Sequence, residues 1–172
     1  KVSQFFVNAE TAGDQGTPDV AMDKDGNFVV VWADDKDANG VYEIFMRGFD
    51  ASGKERFARK TVNSVAKGQQ RNPAIAMNPN GQFVVVWEDE SNGADTPQVF
   101  VRGFNADGSQ RFADRNVEGT VLGSRRKPDV GIADDGTFVV TWEDDKDANG
   151  AFQVYATGFN ADGSDRLKTF VV

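Results

Sequence analysis

The sequence predicts an all-β protein made of three four-stranded antiparallel units arranged as propeller-like blades. The first observation behind this prediction is an internal repeat, because the same residue types recur every 55 positions without insertion. The repeat is marked by Trp32, Trp87, Trp142, Pro18, Pro73, Pro128, Phe49, Phe104 and Phe159. The second observation is that each unit contains short apolar runs separated by Gly-containing turns, with no sustained helical periodicity.

The first unit, residues 8–62, shows the four predicted strands in order. The first strand is DVAM at 19–22, and a DKDGN turn separates it from the second strand, FVVVW at 28–32. Asp-Gly and Asn-Gly at such turns favour tight hairpins because they tolerate positive φ. The third strand covers 41–49 and ends in Gly-Phe. The fourth, at 56–62, is the most polar, which is typical of a solvent-facing edge strand.

The second strand of each unit decides how the units pack together. It is apolar at every position in the first two units, and nearly so in the third. Both of its faces are therefore expected to be buried, which requires a sheet stacked on either side. Radial repetition of four-stranded sheets is the propeller plan. A β-prism or a β-trefoil also uses three four-stranded units, so these architectures are the alternatives.

The repeat also predicts the organisation of the chain. We expect a single domain of three repeats, 8–62, 63–117 and 118–172, preceded by an extra N-terminal strand at 1–7. That segment, KVSQFFV, duplicates the fourth strand of the last repeat, RLKTFVV at 166–172. Three blades would make an unusually small ring. The duplicate is explained if it closes the ring, if the chain belongs to a longer array, or if a homodimer completes a ring of six blades.

Composition excludes several classes of function. The chain has 27 acidic and 19 basic residues, a formal net charge of -8, and neither histidine nor cysteine. An acidic surface repels nucleic acid and anionic lipid, so neither is an expected partner. The missing residue types exclude Ser-His or Cys-His nucleophiles and His-ligated zinc. No long apolar run is present, so no membrane insertion is expected, and the N-terminal KVSQFFVN is not a signal peptide.

Three recurring motifs carry a family resemblance that covers nearly the whole chain. P-x-V/I-A-M, D/N-G-x-F-V-V-V-W and G-F-N-A-D-G-S resemble a tandem repeat of large secreted or surface bacterial proteins. Those proteins often carry calcium-binding and adhesion modules as well. The resemblance implies propeller-type blades and a secreted, extracellular or cell-surface location, and it transfers no catalytic residues. D-x-G-x-F-x-x-x-W is also distantly similar to the Asp-box turn of sialidase-like propellers, which is a fold element.

The strongest chemical motif is D-x-D-x-N-G, which lies between the second and third strands of the first and third units. Alternate residues direct oxygens to one centre and Gly permits the sharp turn, as in the first half of a calcium loop. The predicted calcium ligands are Asp35, Asp37, Asn39 and Val41 in the first unit and Asp145, Asp147, Asn149 and Ala151 in the third. Val41 and Ala151 would contribute their carbonyl oxygens.

Neither calcium loop ends like an EF-hand. Met46 and Ala156 stand where the bidentate glutamate would be, so Asp34, Asp144 or Glu43 would have to close the site. The second unit has a broken spacing at 90–95, and a site there is doubtful. An acidic turn that is simply solvated is the alternative, because Asp, Asn and Gly are common turn formers.

Other side chains admit a structural and a functional interpretation. The tryptophans are expected in the core, with sugar stacking as the alternative. The acid pairs at 88–89 and 143–144 stand at the same place in the second and third repeats, and such recurrence favours a structural role over glycosidase chemistry. The basic cluster at 125–127, with Arg71 in register, could contact a phosphate or an acidic partner, but a solvated loop is the expectation.

These observations favour a non-enzymatic extracellular binding or scaffold module with calcium-stabilised loops. A glycan or a surface protein is the expected ligand. The alternatives are a carbohydrate-binding, lectin-like propeller with one shallow site per repeat, or a fragment of a propeller glycoside hydrolase or lyase.

Overall fold

The twelve strands among the described residues form three separate four-stranded sheets, which we call blades 1, 2 and 3. A computed structural model describes residues 4–8, 12–92, 96–119 and 123–172. Blade 1 contains β1 (Gln15–Met22), β2 (Phe28–Asp34), β3 (Glu43–Phe49) and β4 (Glu55–Thr61). Blade 2 contains β5 (Gln70–Met77), β6 (Phe83–Asp89), β7 (Gln98–Phe104) and β8 (Gln110–Asn116). Blade 3 contains β9 (Arg125–Ile132), β10 (Phe138–Asp144), β11 (Gln153–Phe159) and β12 (Asp165–Val171).

Each blade is an antiparallel meander whose strands pair in sequence order. The second strand therefore lies between the first and third, and the fourth is an edge, as predicted. Tight turns join the strands, and in the first turn of blade 1 the Asp23 N–H donates to the Asn27 carbonyl at 2.8 Å. The first strand begins earlier than predicted, at Gln15 rather than after Pro18, because a bulge lets the pairing with β2 continue past the proline.

The blades stack face to face. β5 contacts both β1 and β9, so the first strands lie side by side, and we call this side the inner edge. Odd-numbered side chains of β2, such as Val29 and Val31, share one buried cluster with Phe83, Val85 and Trp87 of β6. The opposite face of β6 packs on blade 3, through a second buried cluster that contains Val84, Val86, Phe138, Val140 and Trp142. This stacking confirms the propeller-like arrangement.

The prediction that both faces of the second strand are buried holds in full for blade 2 alone. Phe83–Trp87 are completely inaccessible to solvent, whereas Val139, in the corresponding strand of blade 3, is 38% exposed. Blades 1 and 3 each have one neighbouring blade in the described structure, and one side of each therefore has no blade packed against it. We call the uncovered side of blade 1, which carries Val20, Met22 and Phe28, the head face. The uncovered side of blade 3, which carries Val139, Val154 and Leu167, is the tail face.

A short N-terminal segment, residues 4–8, lies against the head face. Residues 4–7 of the predicted strand at 1–7 have no strand pairing, and residues 1–3 lie outside the described part of the chain. The Phe5 ring lies 5.3 Å from the Phe49 ring. Arg47 donates to the Val7 carbonyl at 2.7 Å, as Arg102 of blade 2 donates to the Val62 carbonyl at 2.6 Å. Residues 4–8 thus occupy the position that the end of a preceding blade would take.

No helix among the described residues has the length and apolar character that crossing a membrane requires.

We predict that Gly103→Ala destabilises the protein by about 1–3 kcal/mol, because overpacking a filled site forces side chains or backbone to shift. A methyl group at Gly103 would overlap the ring of Phe112, which lies directly over it. Gly131→Ala is the matched control, because a methyl group there meets no atom within 4 Å. Urea denaturation of both variants measures the difference. Equal losses would contradict the close approach of Phe112.

Candidate functional site

A buried Trp–Asp pair ends the second strand of every blade. The indole N–H of Trp32, Trp87 and Trp142 donates to the carboxylate two residues later, Asp34, Asp89 and Asp144, at 2.9, 3.2 and 3.2 Å. All six side chains are buried. The tryptophans are therefore core residues, as expected, and their faces are not available to a sugar. The pairing was not predicted, although W-x-D recurs in all three repeats.

The basic cluster 125–127 lies on β9, so the expectation of a solvated loop is wrong. Arg125 is buried between blades 2 and 3, where its Nε lies 3.0 Å from Asp144 Oδ2. Its other nitrogens reach Gln98 Oε1 at 2.8 Å, the Gly119 carbonyl at 3.0 Å and Glu118 at 3.1 Å. A buried guanidinium needs such partners, because an unpaired buried charge is costly. Arg125 therefore joins two blades and is not free to bind a ligand.

Arg126 and Lys127, the other two residues of the basic cluster, bind acidic side chains at the inner edge. Glu143 accepts hydrogen bonds from Lys127 Nζ at 3.0 Å and from Arg126 Nε at 2.8 Å. These two hydrogen bonds hold the pKa of Glu143 below its usual range. The aligned Glu88 accepts the backbone N–H of Lys127 at 2.7 Å, and blade 1 has Ala33 at this position. A catalytic acid needs a raised pKa, and Glu143 is shifted in the opposite direction.

A strained bulge shapes the inner edge of each blade. Thr17, Asn72 and Lys127, which each precede a proline, have φ values of 47°, 49° and 51°. Left-handed backbone is unfavourable for residues other than glycine, and such strain concentrates at functional sites. The pairing register shifts at each of these positions. All three side chains are exposed, so the repeat presents a different polar group at the same place in each blade.

The bulges of blades 1 and 2 line a cavity of about 290 Å³. Its lining consists of Gly16, Thr17, Ala33, Tyr42, Arg71 and Asn72. The Arg71 guanidinium lies 4.8 Å from the centre of the Tyr42 ring. The backbone of Tyr42 is held by blade 2, because its N–H donates to Gln69 Oε1 at 3.1 Å and its carbonyl accepts from Gln70 N at 3.0 Å. The cavity thus combines an anchored aromatic ring with hydroxyl, amide and guanidinium donors.

The cavity between blades 1 and 2 has no full counterpart between blades 2 and 3. Pro97 replaces Tyr42 there, and the bulge residue is Lys127 instead of Asn72. Phe152 is the aligned residue of blade 3, with the Arg126 guanidinium 3.5 Å from the centre of its ring. No sequence motif marks Tyr42 or Phe152 as a site residue. The left-handed backbone of Thr17 and Asn72, at the two bulges that line the cavity, is not indicated by their residue types.

The predicted calcium ligands lie in two tight loops after β2 and β10. In the first loop, Asp35 accepts the backbone N–H groups of Asn39 and Gly40 at 2.9 and 3.0 Å. Asn39 donates to Asp37 at 2.8 Å and accepts the N–H of Val41 at 2.7 Å. Asp145, Asp147, Asn149 and Ala151 repeat these bonds in blade 3. Both loops are therefore closed by hydrogen bonds within the turn.

The side chains expected to close the calcium sites have other partners. Asp34 and Asp144 accept the tryptophan N–H groups, and Glu43 pairs with Lys36. Within the described ranges, no group of three or more acidic side chains is arranged to hold a metal ion. Asp147, Asn149 and Ala151 do line one shallow cavity of about 270 Å³, so three predicted ligands of the third repeat share a space. The degraded second-unit loop falls partly on residues 93–95, which lie outside the described residues.

Comparison with solved structures supports the propeller fold. The Hadza microbial sialidase Hz136 superposes with a TM-score of 0.62 at 11% identity, over 91% of this chain and 37% of the sialidase chain. The endo-arabinase from Bacteroides thetaiotaomicron VPI-5482 superposes with a TM-score of 0.56 at 13% identity, over 96% of this chain and 66% of the arabinase chain. The chain therefore spans about a third of the sialidase chain and about two thirds of the endo-arabinase chain.

No protein-family model matches the sequence, and a search of curated proteins finds no relative. The resemblance to the tandem repeat of bacterial surface proteins stays a prediction. What the comparisons establish is an all-β fold of propeller-like blades.

We predict that Asp144→Asn lowers the free energy of unfolding by on the order of 3 kcal/mol, because it leaves the buried Arg125 short of a carboxylate partner. Asp89→Asn is the matched control, and we expect a loss of about 1 kcal/mol, since the amide oxygen can still accept the Trp87 N–H. Urea denaturation of both variants measures the difference. Similar losses would show that the guanidinium does not depend on Asp144.

Proposed function

We propose that this chain is a non-enzymatic extracellular module that binds carbohydrate at the inner edge between blades 1 and 2. The observation that carries the proposal is the cavity where Tyr42 meets Thr17, Asn72 and Arg71. Ligand sites combine apolar surface with a few placed polar groups, and this lining supplies both. The names of the two structural neighbours, a sialidase and an endo-arabinase, agree with a carbohydrate ligand.

The lining favours binding over hydrolysis. Glycosidases use two carboxyl groups that flank the scissile bond, one of them with a raised pKa. At this junction Ala33 stands where the other blades have a glutamate, and Glu88 and Glu143 are engaged by Lys127 and Arg126. A ligand at this cavity would therefore meet donors and an aromatic ring.

A fragment of a propeller glycoside hydrolase is the second candidate. It is favoured by the partial coverage of the sialidase, of which this chain spans 37%. In that case further blades would supply the catalytic carboxyl groups. Product release from sialylated or arabinose-containing substrates by a longer chain that adds further blades, without release by these 172 residues alone, would support this candidate. Release by the 172 residues alone would contradict both the fragment candidate and the non-enzymatic proposal.

Calcium in the two D-x-D-x-N-G loops belongs to the same proposal. The turn hydrogen bonds to Asp35 and Asp145 shape each loop before any ion binds. An ion would have to replace the bond from Asn39 to Asp37 and its counterpart in blade 3. Such a site would bind weakly, with a Kd on the order of 10⁻⁴–10⁻³ M, which suits an extracellular module.

We predict that Tyr42→Ala weakens binding of the recognised oligosaccharide at least about tenfold, the equivalent of about 1.4 kcal/mol. Calorimetric titration with arabinan fragments, sialylated oligosaccharides and neutral glucans identifies the ligand class and measures the change. Tyr155→Ala is the matched control, because this second tyrosine stacks on Trp142 away from the cavity. Tyr42→Phe should retain most of the affinity. No heat with any of the three classes, or equal weakening by both alanine variants, would contradict the site.

We predict that calcium at about ten times its Kd raises the free energy of unfolding by about 1.4 kcal/mol for each occupied loop. The paired variant Asp37→Asn with Asp147→Asn should abolish this rise. The paired variant Asp107→Asn with Asp162→Asn alters two acids of other turns and should leave it intact. Thermal melts in calcium and in chelator provide the measurement, and identical midpoints for the unmodified protein would remove calcium from the proposal.

A further inference from the structure

The tail face of blade 3 exposes the side chains that the other blades bury. Val139, Val154 and Leu167 are 38%, 49% and 46% exposed. Their aligned residues in blade 1, Val29, Ile44 and Phe57, are all buried against blade 2. Blade 3 therefore carries the apolar surface of a blade interface, but without the neighbour that covers it in blade 1.

The head face of blade 1 exposes the surface that lies opposite the tail-face surface in a blade interface. Val20 and Met22 are 55% and 59% exposed. The residue aligned with Val20 in blade 2 is Ile75, which is buried, and Pro18 is exposed whereas Pro73 is buried. The burial differs because blade 2 packs this side of its sheet against blade 1, whereas the same side of blade 1 has no blade packed against it.

The two uncovered faces are complementary to each other. Within the chain, the side of blade 1 that carries Val29 and Phe57 receives the side of blade 2 that carries Phe83, and the Phe57 and Phe83 rings stack with centroids 6.4 Å apart. The tail face of blade 3 corresponds to the side of blade 1 that carries Val29 and Phe57. The head face of blade 1 corresponds to the side of blade 2 that carries Phe83. If blade 3 meets blade 1 in the same way, Leu167 packs on Phe28.

The outer strand of the tail face is more apolar than its counterparts. Lys60 and Arg115 reach across the two internal interfaces to the carbonyls of Gly108 and Gly163, at 3.0 and 2.7 Å. Phe170 is the aligned residue of blade 3, and it is 49% exposed. Val139, Val154, Leu167 and Phe170 are all exposed on blade 3, and exposed apolar side chains that cluster on one face mark an interaction site.

We propose that the tail face of one copy of this chain stacks on the head face of a second copy, and reciprocally, so that two copies close a ring of six blades. Propeller rings contain about four to eight blades, which three blades do not reach and three copies would exceed. The contact is head to tail, and with two copies it closes on itself without leaving an exposed half-interface. A homodimer satisfies both uncovered faces with surfaces that this chain already packs internally.

Residues 4–8 must move aside in this dimer. The Val7 carbonyl accepts from Arg47 in the way that the Val62 carbonyl accepts from Arg102. Val172 is the next residue in this register, and in the dimer the Val172 carbonyl of the second copy takes the place of Val7. The N-terminal segment is therefore a substitute for the partner's last strand.

The test is the mass in solution, measured by sedimentation equilibrium over a concentration series at low and high salt. We expect a mass approaching twice 18.7 kDa, and no dissociation by salt because the contact is apolar. Val154→Asp on the tail face and Met22→Asp on the head face should each return the mass to that of a monomer. Val65→Asp is the matched control, since Val65 is 46% exposed but lies on neither face. Circular dichroism confirms that the exposed substitutions leave each variant folded.

Mixing the two face variants distinguishes head-to-tail stacking from other dimers. Val154→Asp retains an intact head face and Met22→Asp an intact tail face, so the mixture should form dimers that neither variant forms alone. A monomeric unmodified protein at every concentration would overturn the proposal and would leave both faces to further blades of a longer chain. A dimer that survives Met22→Asp would overturn the head-to-tail arrangement.

Discussion

The second strand of each sheet carries apolar side chains on both of its faces, and this constraint governs the rest of the molecule. A neighbouring sheet can cover only one face of such a strand, so every blade needs a second sheet packed against each of its two sides. Blade 2 has both neighbours, and Phe83–Trp87 are inaccessible to solvent. The stacking, the inner edge and the two uncovered outer faces all follow from this one requirement.

Polar groups enter the stacked core only where they are paired. The Trp–Asp pair satisfies a buried indole N–H in every blade. At the start of the first strand, blades 1 and 2 have the neutral residues Gln15 and Gln70, whereas blade 3 has Arg125. The added charge is matched by Asp144 and Glu118, which shows how a repeat tolerates a charged substitution inside an interface.

Repetition in the sequence was enough to predict the sheets, their strand order and the burial of the tryptophans, because each depends on one unit alone. The bulge before Pro73 was missed, since a proline looked like the natural start of a strand. Burial of Arg125 was missed because its partners Gln98 and Glu118 come from the preceding blade. Exposure of Val139 was also beyond prediction, because Val84 lies in a nearly identical local sequence but has a neighbouring blade packed against it. The spacing of Asp35 and Asp37 predicted a tight loop correctly. It did not decide whether that loop binds calcium.

Sequence differences between the repeats are concentrated at exposed positions, where packing does not restrict the residue type. Core positions keep their type, as the three tryptophans and the Phe at 28, 83 and 138 show. Inner-edge positions differ, with Thr17, Asn72 and Lys127 on the bulges and Tyr42, Pro97 and Phe152 beside them. A substitution at an exposed position costs little stability, so the inner edge can acquire distinct chemistry in each blade without weakening the stack. Closing the ring would add to this edge, because Phe152 of one copy would then face Thr17 of the other, and an aromatic ring and a hydroxyl would meet at a junction that one chain leaves incomplete.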